Sequence, residues 1–171
     1  MQKIPTMFER DESVKGHPVK DHIKTECYWV VDGEGVATHK LDGTNVKIEA
    51  GALYKRQKPA SGDYDEASYV LVDSGEPENK YIWEAFEALD DKQDGIYEAL
   101  GPKIQGNPEK LARHRLIRVV PFNENFTLND APRTFDALKE YLANKDIEGI
   151  VFHHPDGRMA KLKKRDFGLK R

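Results

Sequence analysis

Val36-Ala37-Thr38-His39-Lys40-Leu41-Asp42-Gly43-Thr44-Asn45 is the stretch on which the fold of this chain turns. Val36 to Leu41 reads as an apolar strand carrying one lysine, Lys40, near its end. Asp42-Gly43 is turn chemistry, and Thr44 to Glu49 then alternates Thr44, Val46 and Ile48 against Asn45, Lys47 and Glu49. After an Ala50-Gly51 turn, Ala52 to Arg56 reads as a third strand, so the three together predict an antiparallel meander. The turn holds Lys40 rigidly, and a glycine at position 43 leaves room for a ligand to approach the backbone closely. A lysine amine is a nucleophile only when neutral, so its reference pKa of about 10.4 must be depressed by neighbouring cations or by burial. As a bare tetrapeptide, Lys-x-Asp-Gly is also an ordinary hairpin with a solvent lysine, and the rest of the chain has to decide.

Working outward, Tyr81 to Leu89 predicts a helix, with Ile82, Ala85, Phe86 and Leu89 on one face. Asn107-Pro108 reads as an N-cap followed by proline, starting a short helix through Arg113. Leu116 to Phe122 is a strongly apolar strand, and Thr134 caps a helix that buries Phe135, Leu138 and Leu142. Gly149 to Phe152, the turn His154-Pro155-Asp156-Gly157, and Met159 to Lys163 form a hairpin. Pairing His154 with Arg158 across that turn sets Lys161 opposite Val151 and Lys163 opposite Gly149, both lysines on one face. The same register turns Glu148 to the other face unless Glu148 precedes the regular strand or a bulge intervenes. Loops are expected at Lys58 to Asp63 and Asp73 to Asn79. Strands with interspersed helices and no regular βαβ alternation predict an α+β fold on antiparallel sheet. No internal repeat or long Pro/Gly/Ser linker interrupts the 171 residues, so one domain is expected over 1–171, with an N-terminal extension at 1–30 and a basic tail at 166–171.

Composition bounds the function. With 38% hydrophobic and 33% charged residues, the chain is polar but has enough apolar clusters for a core. No apolar run reaches the roughly 20 residues of a membrane helix, and the start Met1-Gln2-Lys3-Ile4-Pro5-Thr6 has no signal-peptide core. Cys27 is the one cysteine, which excludes an internal disulfide and a cysteine zinc cage; a reducing, cytoplasmic location without membrane contact is expected. The net charge of -3 hides strong poles. Residues 158–171 set Arg158, Lys161, Lys163, Lys164, Arg165, Lys170 and Arg171 against Asp166. Residues 103–118 set Lys103, Lys110, Arg113, Arg115 and Arg118 against Glu109, whereas 63–94 carries eleven acids against Lys80 and Lys92. Such poles let a chain with an acidic total hold a polyanion on one side, although charge runs are as a rule simply solvated.

The ordered set of motifs is more specific than any of them alone. Ala37 to Asn45 resembles motif I of the covalent nucleotidyltransferases, the ATP-dependent polynucleotide ligases and mRNA capping enzymes, and Gly43-Thr44-Asn45 is closest to the RNA ligases. Tyr97-Glu98-Ala99-Leu100-Gly101 looks like motif III, Glu148-Gly149-Ile150-Val151-Phe152 like motif IV and Lys161-Leu162-Lys163 like motif V, in the family's order across roughly residues 34 to 165. The resemblance implies an antiparallel-sheet nucleotidyltransferase domain (the ATP-grasp-like ligase adenylation domain). It also implies an ATP-dependent RNA ligase sealing 5′-phosphate and 3′-hydroxyl RNA ends through a covalent lysyl-AMP. Lys40 then attacks the α-phosphorus of ATP and displaces pyrophosphate. Glu148, and Glu98 at the ribose or metal shell, support Mg2+ or Mn2+, and Lys161 and Lys163 contact the α-phosphate. Arg56 and Asn45 reach sugar or phosphate. The backbone of Thr38 and His39 reads the adenine, with Val120 or Phe122 as its stacking surface. The chain stops six residues after Arg165, so a minimal catalytic domain with no OB-fold is expected, one that acts alone or with an accessory protein.

Two other functions fit the same residues. One is a DNA ligase or a GTP-using capping-type transferase. The other is a non-catalytic nucleotide- or RNA-binding module on a ligase fold, against which the joint presence of Lys40, Glu148, Lys161 and Lys163 argues. His153 and His154 read as structural or surface residues, Cys27, Trp83 and Phe86 as packing, and Asp32-Gly33-Glu34-Gly35 as a turn without a following helix.

Overall fold

The structure, a computed structural model, describes residues 1, 3–58, 60 and 68–171. Of the first expected loop, residues 59 and 61–63 lie outside the described residues. The described chain is a mixture of helix and antiparallel sheet. It divides into two compact units, the first made of Met1–Lys3 and Asp42–Asn123, the second of Ile4–Leu41 and Glu124–Arg171.

The first unit is a five-stranded antiparallel sheet with one helix. Its strands are β4 (Thr44–Glu49), β5 (Ala52–Arg56), β6 (Tyr69–Leu71), β7 (Gly95–Leu100) and β8 (Arg115–Val120), in the order β6-β5-β4-β7-β8. The alternation legible in β4 becomes two faces. Val46 and Ile48 join Leu53, Tyr97, Ala99 and Leu116 in a core, against which α2 (Lys80–Glu87) lays Ile82, Ala85 and Phe86. The polar partners of that alternation share the other face. β4 sits centrally, paired with β5 (Val46↔Lys55) and with β7 (Asn45↔Glu98).

The second unit holds the β1/β2 hairpin (Phe8–Arg10, Val19–Ile23), the short helix α1 (Tyr28–Val31), β3 (Val36–His39), α3 (Phe135–Ala143) and the hairpin β9/β10 (Gly149–His153, Met159–Lys163). Here β9 is the middle strand of a three-stranded sheet in the order β10-β9-β3. The β9/β10 register matches the turn chemistry: His154 N–H donates to Arg158 O at 2.9 Å, and Lys161 faces Val151 and Lys163 faces Gly149. One face of the sheet, through Ala37, Phe152, Ile150, Ala160 and Leu162, is buried against Leu138 and Leu142 of α3. Each large apolar side chain buried this way stabilises by about 1.5–3 kcal/mol, and a one-residue slip of register would expose the whole set.

Two sequence expectations need correcting. β3 does not belong to a meander with β4 and β5. It pairs with β9 (Thr38↔Val151), and residues 40–43 carry the chain from one sheet to the other. The turn donors are taken by side chains of the first unit: Asp42 N–H by Glu109 Oε1 at 3.1 Å and Gly43 N–H by Glu98 Oε1 at 3.1 Å. Residues 107–113 form no helix. Asn107, at φ 55°, closes a loop by accepting from Leu111 N–H through Oδ1 (2.9 Å) and donating to Leu111 O through Nδ2 (3.0 Å). An asparagine tolerates the left-handed region, so the capping residue serves a turn instead.

The ends of the chain also differ from the sequence reading. Met7, Phe8, Val19, Cys27, Trp29 and Val30, all in the expected extension, are buried in the second unit's core. Lys164–Phe167 is a 3-10 turn in which Lys164 and Asp166 are buried and Phe167 packs on that core.

Candidate functional site

The open face of the three-stranded sheet carries the charge. Row by row across β3, β9 and β10 it presents Thr38, Val151 and Lys161, then Lys40, Gly149 and Lys163, with Lys40 N–H donating to Gly149 O at 2.9 Å just beyond β3. The middle strand therefore contributes no side chain between the two lysines. It cannot contribute one, because a Cβ on Gly149 would lie 2.2 Å from Leu162 O and 2.8 Å from Lys163 Cα.

Glu148 fills the gap. It lies immediately before β9, where strand alternation no longer fixes its direction, so its place ahead of the regular strand, and not a bulge, reconciles register and chemistry. Its Oε2 accepts from Lys40 Nζ at 2.6 Å and its Oε1 is 3.2 Å from Lys163 Nζ. All three side chains are largely enclosed, at 21%, 17% and 13% exposure for Lys40, Glu148 and Lys163. Burial pushes the Glu148 carboxyl upward, but the charges and hydrogen bonds of Lys40 and Lys163 outweigh it and hold the group below the ordinary glutamate range. Burial and the nearby Lys40 lower Lys163, against the opposing pull of Glu148. Lys161 shares the half-buried face with Lys163, while Ala160 and Leu162 between and beside them are fully buried.

Thr38 is drawn into the same face. Its Oγ1 donates to Val151 O at 3.2 Å and lies 3.0 Å from His153 Nε2. A neutral imidazole can either donate to that hydroxyl or accept from it. Burial lowers His153 to about 4, consistent with that neutral ring. Main-chain contacts occupy both edges of β3: β9 on one, and on the other Thr127, which bridges Thr38, and Leu128, whose N–H donates to Ala37 O at 2.8 Å. His39 lies on the core side of β3, its ring 6.3 Å from that of Phe126.

The remaining candidates gather on the polar face of the first unit. Asn45 faces Glu98 across β4 and β7, and its Nδ2 donates to Glu98 Oε2 at 3.4 Å. The Tyr69 hydroxyl donates to Asn45 Oδ1, and Arg56 pairs with Tyr69 across β5 and β6. Continuing the β4/β5 register by one residue sets Arg56 beside Asn45, so Glu98, Asn45, Arg56 and Tyr69 form one row. Lys55, on the opposite side of β5, is held by Glu78 at 2.7 Å and Asn79 at 2.8 Å. Val120 and Phe122 are both partly exposed. Gly43 is needed for protein packing, since a Cβ there would lie 2.2 Å from Ala99 O; the space expected for a ligand is filled by β7.

The structure thus brings Lys40, Glu148, Lys161, Lys163 and Thr38 to one sheet face of the second unit, and Asn45, Arg56 and Glu98 to one sheet face of the first. Sequence reasoning missed Tyr69, His153 and Asp166. The signal for Asp166 was present, as a lone acid inside a basic run three residues after Lys163. His154 is held by Glu34 (2.7 Å) and Asp156 (2.7 Å) at the hairpin turn. Cys27 is fully buried, and burial pushes its thiol up to about 11, as suits packing. Among the described residues no group of three His, Cys, Asp or Glu could hold a metal ion, and no helix is long and apolar enough to cross a membrane.

No family model matches the sequence, and no curated protein matches it. Among solved structures, a lysine-to-alanine mutant of a Naegleria gruberi RNA ligase with ATP and Mn is similar at a TM-score of 0.47 and 17% identity. The match covers 98% of this chain and 59% of that one, so the chain spans about three-fifths of that protein's length.

Proposed function

We propose that the chain is an ATP-dependent RNA ligase working through a covalent lysyl-AMP on Lys40. The observation that carries this reading is the ion-paired set of Lys40, Glu148 and Lys163 on one half-buried sheet face, with Lys161 in the adjoining row. Two enclosed ammonium groups around one carboxylate are a costly way to finish a sheet, and a packed apolar set would stabilise it at least as well. Their chemistry is that of nucleotidyl transfer: one amine to attack, and cations to receive phosphate charge.

Paired with Glu148, the Lys40 amine is an ammonium. It attacks only after its proton passes to the Glu148 carboxylate, which an arriving triphosphate favours by drawing Lys163 away from that carboxylate, and a second proton leaves the nitrogen for water once the new bond has formed. The freed nitrogen lone pair then forms a bond to the α-phosphorus, the bond from that phosphorus to the bridging oxygen breaks, and pyrophosphate departs with the electron pair. AMP passes next to an RNA 5′-phosphate, and a 3′-hydroxyl displaces it.

Thr38 and His39, next to Lys40 in the chain, are proposed to contact the nucleotide, and the row of Asn45, Arg56 and Glu98 to bind sugar and phosphate. Substitutions in each unit test these assignments separately. Glu148 and Glu98 are each proposed to support a divalent ion without enclosing it. Each carboxylate already serves protein donors, Lys40 and Lys163 in one case and Gly43 and Asn45 in the other. Magnesium or manganese would have to bring most of its ligands with it, as these ions do with polyphosphates.

The test is incubation with labelled ATP and either ion. Wild type takes up covalent AMP, Lys40→Ala takes up none, and labelling by GTP instead assigns the capping-type alternative. Reversible ATP binding without any adduct assigns the binding-module alternative. A labelled protein that then seals nicked or single-stranded RNA with 5′-phosphate ends completes the reading.

A further inference from the structure

We propose that Arg10 is a positioning residue for the transfer chemistry, acting through Asp166 on Lys163, and that the N-terminal segment braces the strand carrying both phosphate-contacting lysines. The inference rests on the nucleotidyl-transfer reading above. It gives a role to residues about which the sequence motifs say nothing.

The brace begins at Lys161. Its main-chain N–H donates to Pro5 O at 2.9 Å and its carbonyl accepts from Met7 N–H at 2.9 Å, with Thr6 bridging to it in parallel. The outer edge of β10 is therefore fixed by the N-terminal segment at the row of the first lysine. Met7 in turn accepts from Lys24 N–H at 3.0 Å, which ties the segment into its own unit.

At Lys163 the connection runs through a buried charge. Lys163 N–H donates to Asp166 Oδ2 at 2.8 Å, and Arg10 Nη2 donates to Asp166 Oδ1 at 2.7 Å. The Asp166 side chain is only 4% exposed, whereas that of Arg10 is 35% exposed. Arg10 Nη1 also donates to His17 O at 2.9 Å, so the guanidinium is anchored at its own hairpin. Asp166 thus stands one main-chain hydrogen bond from the residue whose ammonium meets Glu148. Lys164 N–H, next in the chain, donates to the main-chain oxygen of that same Glu148 at 2.9 Å.

Arg10 is not what keeps the hairpin on the protein. Phe8 is 2% exposed and meets Phe135 edge-on at 5.1 Å, and Phe135 meets Phe167 at 5.2 Å. That aromatic chain holds β1, α3 and the turn after β10 together by burial. What Arg10 adds is the countercharge that keeps the enclosed Asp166 carboxylate aimed at Lys163 N–H. Without it the carboxylate turns toward water, and Lys163 loses its main-chain anchor.

The experiment compares wild type, Arg10→Ala, Arg10→Lys and Asp166→Asn for covalent AMP uptake. Rate at saturating ATP, half-saturating ATP concentration and melting temperature are measured for each. Arg10→Ala is expected to slow uptake about tenfold, inside the roughly hundredfold that a misplacement of about 1 Å can cost. Its half-saturating concentration stays within about twofold of wild type, and Arg10→Lys, which restores the countercharge, recovers most of the rate. Uptake at the wild-type rate in Arg10→Ala overturns the proposal. So does a loss that follows melting temperature alone and that Arg10→Lys does not repair. Should Arg10→Ala fail to fold, Asp166→Asn, of the same size, carries the same comparison. A wild type that never takes up AMP removes the transfer reading itself, whereas a labelled wild type beside an unaffected Arg10→Ala removes only the positioning role.

Discussion

The two sheets of this protein finish their open faces in opposite ways. The three-stranded sheet gathers full charges, with Lys40 and Lys163 on either side of Glu148 at 2.6 and 3.2 Å. The five-stranded sheet has Asn45 as its hub, which accepts from Tyr69 and donates to Glu98 at 3.4 Å, so that a neutral amide stands between the strands that carry Arg56 and Glu98. Hydrogen bonds of that second kind contribute about 0.5–1.5 kcal/mol each and tolerate loss. An enclosed set of charges is less forgiving, since removing one member strands the others. The charged face thus encloses its charges at some cost in stability, and the polar face joins its groups by hydrogen bonds at little cost.

Removing the hub of the charged face should have the largest effect. Glu148→Ala leaves two enclosed ammonium groups without their carboxylate. AMP uptake is expected to fall at least a hundredfold, with about 1–3 kcal/mol of stability lost in denaturant titration. If the variant keeps both activity and stability, the contrast between the sheets is mistaken.

Next come the two glycines that permit close backbone approach, one in each unit. Alanine at Gly149 or Gly43 would place a Cβ 2.2 Å from a carbonyl oxygen, of Leu162 or Ala99 respectively. Each should cost about 1–3 kcal/mol by overpacking. The comparison sharpens if Gly149→Ala slows AMP uptake more than its melting temperature explains, because it also displaces Lys163 from Lys40.

Strand identity in this chain was legible where the signal was local. β4, β5 and the β9/β10 hairpin have the limits or register that alternation and Pro-Asp-Gly chemistry require, and that register alone placed Lys161 and Lys163 on one face. The partner of β3 was not legible. Asp42-Gly43 is as good a hairpin turn as any, yet distant Glu98 and Glu109 take its N–H donors. Asn107 shows the same limit on a small scale, since an N-cap and a loop-closing asparagine look alike until Leu111 returns to it. Of the candidate site, Lys40, Glu148 and Lys163 were readable as motif residues. Of their anchors, Asp166 shows only as a lone acid three residues after Lys163, and Arg10 was not readable, because 156 positions separate it from Asp166.

A smaller effect follows from His153. Burial lowers its folded pKa to about 4 from the ordinary histidine value of 6.5, so in that window the unfolded chain binds the extra proton. The stability this group contributes is complete above pH 6.5 and drains as pH falls toward 4, by up to about 1.4 kcal/mol per pH unit. His153→Gln should flatten that stretch of the stability profile, and an unchanged slope would assign it elsewhere. The smallest effect belongs to the polar sheet: Asn45→Ala should cost about 1 kcal/mol. A loss as large as that of Glu148→Ala would erase the distinction between the two faces.

The decisive event in the proposed chemistry is one bond between the Lys40 amine and a nucleotide phosphorus. Intact-mass measurement after exposure to ATP and a divalent ion, followed by peptide mapping, tests it directly. The expected result is a gain of one AMP located on the peptide containing Lys40 and absent from Lys40→Ala. A wild-type protein whose mass never changes, or an adduct on another residue, would contradict it.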